Sequence, residues 1–441
     1  MGLKNFRIVF DNQWSTYYPG QTVTGNIILG LDSIKKIRGK FCSLLIKNCD
    51  VYNITNSFCE HVYEVCNFFL YEGINVTIKG EANTSWTVAK EGIPERDPER
   101  DLTTEESVFG EEKYFEAKYY LVGSASGGEI EIQSGEHKFP FTCSLPMNLP
   151  SSFESDFGHI RYTVKATLDR PWKFDQDVKC PFTVIAPLDL NQEPRAAESV
   201  QQEMSKTFCC LCCGSPPLTV IFSLPSRGYV PGQSIPIKIN VDNLSNVIVN
   251  TIKLKLCKIV TYHATRTSNL METTKNEEIV VTEISKGPVA AGGNDDYEQH
   301  LSIPPIPPSN LTNCSIIDLE YNLKVEACVE GWYHQNLSAN TLIFVGTVPL
   351  SIYVPSAPPA GLDGDYAEQK SPAVGFVMPS ANIALPPLPE SNLYPNLPPP
   401  LFEESSYSAR TLRDFGESKD VYGLTDHFAP KYPVYKFAPP Q

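Results

Sequence analysis

Four cysteines packed into one five-residue stretch, Cys209, Cys210, Cys212 and Cys213 of "CCLCC", are the densest reactive chemistry in the chain. They make two overlapping C-x-x-C pairs, a spacing that suits thiolate ligation. A tetrahedral zinc needs four ligands arriving from different directions, and neighbours on so short a segment supply them only with help from distant Cys or His. The stretch therefore reads as reduced thiols at the start of a domain, with S-acylation the other chemistry open to it. No further reacting centre gathers. The seven histidines are scattered, and H-E-x-x-H, Walker A, G-x-S-x-G and dinucleotide fingerprints are missing. "GSASGG" at 123–128 lacks the nucleophile-elbow spacing and reads as a hairpin turn. The expectation is a protein that is not an enzyme, with no catalytic residue, no metal ligand and no cofactor. A peptide ligand is a different matter: Pro355-Ser356-Ala357-Pro358 has the form Pro-Ser/Thr-Ala-Pro, the late-domain motif bound by the ubiquitin-variant domain of the ESCRT sorting machinery.

The elements that would position these residues are strands. "YYPGQTV" at 17–23 returns as "YVPGQSI" at 229–235, and each leads into an alternating run, "VTGNIILGL" and "SIPIKINV". Pro19 presets the second position of a type II turn, and Gly20 supplies the positive φ that the third position needs. A second matched pair follows in the same order, "HIRYTVKA" at 159–166 and "DLEYNLKV" at 318–325, in which Ile160, Tyr162 and Val164 answer to Leu319, Tyr321 and Leu323, each set on one face of its strand. Two landmarks in one order indicate a duplicated β domain, and the aromatic residues Tyr162, Tyr321 and Trp172 are expected in cores or at an interface rather than at a ligand.

Length and charge agree. A chain of 441 residues exceeds what one core usually covers. With 36 basic against 51 acidic residues the net charge is -15, which argues against a nucleic-acid binder. No run of about 18 apolar residues occurs, so no membrane-spanning helix is expected. "MGLKNFRIVF" is too short and too charged for a secretory signal, and Phe6 stands where myristoylation wants Ser or Thr. Thirteen cysteines without a signal point to reduced thiols in the cytosol.

The expected fold class is all-β, two tandem β domains followed by a disordered proline-rich tail. The expected domains are residues 1–190, a linker 191–214 carrying the cysteine cluster, a second β domain 215–354, and the tail 355–441 with runs such as "LPPLPE" and "NLPPPLFEE". One segment breaks the pattern. The second copy reads "VNTIKLKLCKIV" without interruption, whereas the first runs "SIKKIRG", then 40–73, then "INVTIKGEA". Removing Lys40 to Gly73 restores one strand with Ile74, Val76 and Ile78 alternating, so 40–73 is read as a retained intron or gene-model error, against the alternative of a genuine surface insertion.

Together "FRIVFDN", "YYPGQTVTGNI", "KYFEAKYYLVG", "FPFTCSLPMNLPSSFE", "GHIRYTVKATLDRPW", "TFCCLCCGSPPLTV" and "GYVPGQSIPI" resemble the arrestin domain-containing proteins of the alpha-arrestin class. The resemblance implies two tandem arrestin-like β-sandwiches of immunoglobulin-like architecture, packed side by side, in a cytoplasmic adaptor. Such an adaptor engages the cytoplasmic segments of membrane receptors or transporters, directs their ubiquitination, endocytosis and sorting, and is recruited to the plasma membrane and endosomes by peripheral contact. It also implies Pro-Pro-x-Tyr motifs in the tail for the WW domains of HECT-type ubiquitin ligases. No complete copy exists. The nearest is Tyr432-Pro433-Val434-Tyr435, a degenerate WW ligand in which Tyr432 replaces the first proline, and this weakens the implied ligase contact. Two other readings stay open: a retromer-like coat or scaffold subunit that recruits no ligase, and a secreted two-domain immunoglobulin-like binding protein.

Overall fold

The computed structural model describes residues 3–38, 74–89, 105–122, 129–168, 175–210, 213–331, 334–353, 400–405, 410–412, 421–423 and 427–437. Among them there is no α-helix, only strands and three single turns of 3-10 helix. Alternation explains the strands. Along Ile317–Val329, Ile317, Leu319, Tyr321, Leu323, Val325 and Ala327 are all fully buried, while Asp318 and Glu320 between them are exposed.

The first sandwich pairs a three-stranded sheet, Leu3–Phe10, Thr22–Leu31 and Gly135–Ser144, with a second layer built on Ile74–Ala89, Gly158–Leu168 and Gln176–Val184. Phe10 packs edge-on against Phe182 across the layers, with ring centroids 5.8 Å apart. The second sandwich repeats the plan. Val200–Lys206, Leu218–Leu224, Ser234–Asn243 and Gly293–Ser302 form one sheet, and Val249–Arg266, Ile317–Val329 and Leu337–Val345 belong to the other.

Those second layers are one sheet. Thr265 and Arg266 pair antiparallel with Phe109 and Val108 of the long strand Glu105–Val122, so a continuous twelve-stranded sheet threads both sandwiches. The join is reinforced by buried polar groups. Thr84 Oγ1 donates to His263 O at 2.6 Å, and Arg266 Nη1 lies 3.2 Å from Glu106 Oε1 with both side chains largely covered. A single apolar cluster runs through both sandwiches.

The duplication holds down to individual hydrogen bonds. Tyr162 donates its hydroxyl to Pro150 O at 2.7 Å, and Tyr321 donates to Pro307 O at 2.8 Å. Val184 N donates to Ser152 Oγ and Val345 N to Ser309 Oγ, each at 2.9 Å. Gln21 Oε1 accepts from Tyr18 N at 3.0 Å, and Gln233 Oε1 accepts from Val230 N at 2.8 Å. Gly20 and Gly232 take the positive φ that the turn requires, 80° and 91°. Tyr162 and Tyr321 lie in the core as expected, and Trp172 falls outside the described residues.

Two expected boundaries are corrected. Residues 191–214 are not simply a linker, because Val200–Lys206 pairs in register with Leu218–Leu224 and supplies a strand to the second sandwich. Its apolar Val200 and Met204, four residues apart, point to the same face and are buried, which recruits this otherwise polar stretch. The tail is not extended throughout 355–441 either: its described segments from 400 to 437 include short strands that return to the sandwiches. The segment 40–73 lies outside the described residues. On either side of it Lys35–Arg38 pairs with Glu129–Ile132, and Ile74, Val76 and Ile78 are fully buried. In the second copy Val249 makes the matching bridge to Val289 and the chain runs straight on along Val249–Arg266.

Candidate functional site

The chain is most unusual where the tail comes back. Lys431–Val434 pairs antiparallel with Leu401–Glu404, which sets Tyr432 opposite Glu403 and Pro433 opposite Phe402. A two-stranded ribbon is not stable by itself and must bury a face. Here Phe402 packs on Trp14 of the first sandwich, with centroids 6.2 Å apart, and Ser405 N donates to Pro430 O at 3.0 Å.

Both tyrosines of the Tyr432–Tyr435 motif point inward. Tyr432 is 1% exposed, and its hydroxyl donates to Ser152 O in the first sandwich at 2.9 Å. Three residues on, Tyr435 is 8% exposed and donates to Thr347 O in the second sandwich at 2.7 Å. Main-chain contacts hold the segment between them: Lys431 N donates to Thr183 Oγ1 at 3.2 Å and Tyr435 N to Pro231 O at 3.0 Å. Tyr435 also joins a small apolar cluster with Leu190, Ala196, Val230, Phe344 and Leu350. Burial, and secondarily the negative charge of Glu154, hold the Tyr432 phenol well above its ordinary pKa, so it stays a donor.

Upstream, the tail touches the first sandwich's end of the shared sheet, on Gly158–Leu168 and Gln176–Val184. Val421 and Tyr422 pair parallel to Asp177 and Val178 at its edge. Lys179 Nζ donates to Leu412 O at 3.2 Å, and Arg161 Nη2 donates to Thr411 O at 3.1 Å. Arg161 also grips Glu154 with two bonds, 2.6 Å from Nε and 2.8 Å from Nη2, the bidentate geometry that makes such pairs strong. Arg410 pairs with Asp156 at the rim.

The remaining sequence-level candidates divide. Cys209–Cys210 pairs with Cys213–Gly214 as a tight hairpin that sets Cys210 opposite Cys213, while Cys212 lies outside the described residues. Pro355, Ser356, Ala357 and Pro358 lie outside them too. Elsewhere Cys143, Cys257, Cys314 and Cys328 are free thiols, and burial pushes Cys143 and Cys257 up to about 11. Ser152, Arg161, Lys179, Gly232 and Thr347 were not marked by the sequence as tail contacts. The one available signal was the aromatic content of the tail's far end.

Residues 67–191 match the profile of the Arrestin (or S-antigen), N-terminal domain, and residues 215–350 that of the Arrestin (or S-antigen), C-terminal domain. The chain belongs to the arrestin domain-containing family. Arrestin domain-containing protein 17 of Caenorhabditis elegans is 28% identical across 98% of this chain and 99% of its own length. Arrestin domain-containing protein 4 of Homo sapiens is 29% identical over 63% of each chain, and arrestin domain-containing protein 1 of Rattus norvegicus is 30% identical over 56% of this chain and 58% of its own. The chain thus spans less than two thirds of those two mammalian proteins. As an arrestin-fold protein of the alpha-arrestin class it carries both sandwiches in the expected order, and strands Leu3–Phe10 and Thr22–Leu31, ahead of the first matched span, complete the first of them. No described helix is long and apolar enough to cross a membrane.

Proposed function

We propose that this chain is a cytoplasmic adaptor that binds the cytoplasmic segments of membrane receptors or transporters and links them to ubiquitination, endocytosis and endosomal transport. The observation that carries this reading is the shared twelve-stranded sheet: it makes two binding sandwiches into one extended body, a form suited to grasping a segment rather than turning over a substrate. Pro355-Ser356-Ala357-Pro358, just beyond the turn Ser351–Tyr353, is the proposed ESCRT contact. Direct recruitment of a HECT-type ligase through Tyr432–Tyr435 requires that segment to leave its seat, because a WW groove reads the proline and tyrosine side chains that are buried here. The cysteine hairpin at 209–213 remains a proposed acylation site that would add peripheral membrane contact.

Affinity capture of the full chain from cells, beside Pro358→Ala and Tyr435→Ala variants, tests the reading. Capture of integral membrane proteins, with ESCRT components lost on Pro358→Ala, supports it. Capture of a constant stoichiometric complex with no membrane cargo replaces it with the coat-subunit reading.

A further inference from the structure

Three backbone carbonyls wait at the junction of the sandwiches, those of Ser152, Pro231 and Thr347, and all three receive hydrogen bonds from the tail. Each is fixed by the body itself. Ser152 is locked by its N–H bond to Val184 O at 2.8 Å, Pro231 belongs to the Pro-Gly turn braced by Gln233, and Thr347 Oγ1 accepts from Leu188 N at 2.7 Å. The sandwiches are also joined through the Val108–Arg266 pairing without any help from the tail. The seat is therefore preformed, and it prescribes its ligand. Two carbonyls placed to accept phenolic hydroxyls select tyrosine over phenylalanine, since a vacant buried acceptor is costly. An i, i+3 spacing in extended chain, about 10 Å, spans one sandwich to the other. Gly232 admits the peptide backbone closely: a Cβ there would strike the Tyr435 carbonyl.

We propose that this junction is a recognition site for extended Tyr-Pro-x-Tyr peptides, that Tyr432–Tyr435 occupies it in cis, and that a partner's cytoplasmic segment of the same chemistry takes the site by displacing the tail. The class of partner rests on the adaptor reading, whereas the site itself rests on the geometry. Rigid aromatic anchors with few rotatable bonds, strung on an extended backbone, are an efficient way to bind such a seat. A tethered tail competes at an effective concentration on the order of millimolar, so the closed form resists casual peptides and yields to a partner presented at high local density.

The test uses full-length protein and a fluorescent synthetic peptide with the sequence of residues 427–437, read by anisotropy. The Tyr432→Ala/Tyr435→Ala double variant, whose own tail has lost both anchors, is expected to bind the peptide saturably. Wild type should bind at least about tenfold more weakly because its tethered tail competes. Replacing the peptide's tyrosines by phenylalanine should weaken binding by about fivefold for each hydroxyl removed, the size of one net hydrogen bond. Adding Gly232→Val to the double variant should abolish binding. A folded double variant that takes up no peptide at millimolar concentration overturns the proposal, as does equal binding by wild type and double variant. If the double variant does not fold, hydrogen exchange on wild type decides: millimolar peptide should speed exchange across 427–437, and unchanged exchange means the tail is a fixed strut. A chain that exchanges peptide yet captures no membrane protein from cells keeps the site and loses the adaptor.

Discussion

The two Pro-Gly turns have the same sequence signature and the same glutamine brace, yet face different neighbours. At Gly20 an added Cβ would meet the sulfur of Met147, whose side chain is exposed and free to swing away. At Gly232 it would meet the backbone of Tyr435, which cannot. A similar divergence marks the paired strands. Arg161, beside the corner tyrosine Tyr162, is buried on Glu154 and the tail, while Glu320, beside Tyr321, is exposed. Duplication supplied two equivalent scaffolds, and the tail made them inequivalent: it packs on Arg161, Lys179 and the edge strand Gln176–Val184 of the first sandwich and on the turn of the second.

The comparison is broken most strongly at Arg161. Arg161→Ala strands the Glu154 carboxylate in a buried site and should cost about 3–5 kcal/mol in urea unfolding, whereas Glu320→Ala should stay within about 0.5 kcal/mol. Alanine at either turn glycine meets a strained positive φ costing about 1–2 kcal/mol. Only Gly232→Ala should also free the tail, read as faster hydrogen exchange across 427–437, and equal exchange in both variants would show that the turns are interchangeable. Tyr162→Phe and Tyr321→Phe should each lose about 1 kcal/mol, and a marked inequality would mean that the corners are not equivalent.

Alkaline pH sharpens the picture further. Burial raises the Tyr162, Tyr321 and Tyr432 phenols above 10.0, so the unfolded chain ionises first. Their contribution is complete below that value and is lost as pH rises above it. Tyr432→Phe should make the tail's hydrogen exchange, corrected for its intrinsic pH dependence, less sensitive to pH above about 10. The smallest effect is expected from excising 40–73 so that Gly39 meets Ile74. The first sandwich should keep its melting temperature or gain slightly, because loop closure grows only slowly with length. Transcript sequencing for a GT donor at Gly39-Lys40 and an AG acceptor at Glu72-Gly73 tests the intron reading directly.

Duplication and strand faces were legible because alternation and turn chemistry are local: Ile74, Val76, Ile78, Tyr162 and Tyr321 are buried as their spacing requires. The return of the tail was not, because proline content speaks for extended chain and says nothing of where an extended chain lands. Its aromatic residues were the missed sign, since Phe402, Tyr422, Phe428, Tyr432, Tyr435 and Phe437 are too many for a segment that never packs. The strand Val200–Lys206 was hidden for a related reason. "VQQEMSK" reads as a polar link until Leu218–Leu224 provides the partner for its two apolar residues.

The latch closes late in the life of the chain. Everything that frames the junction has been synthesised by residue 353, while Tyr432 and Tyr435 follow some eighty residues later. At ordinary elongation rates that interval is on the order of ten seconds, long enough for both sandwiches to fold while still on the ribosome. Every newborn molecule therefore passes through an interval in which its junction stands open, and a message truncated in the proline-rich stretch would yield a body that never closes.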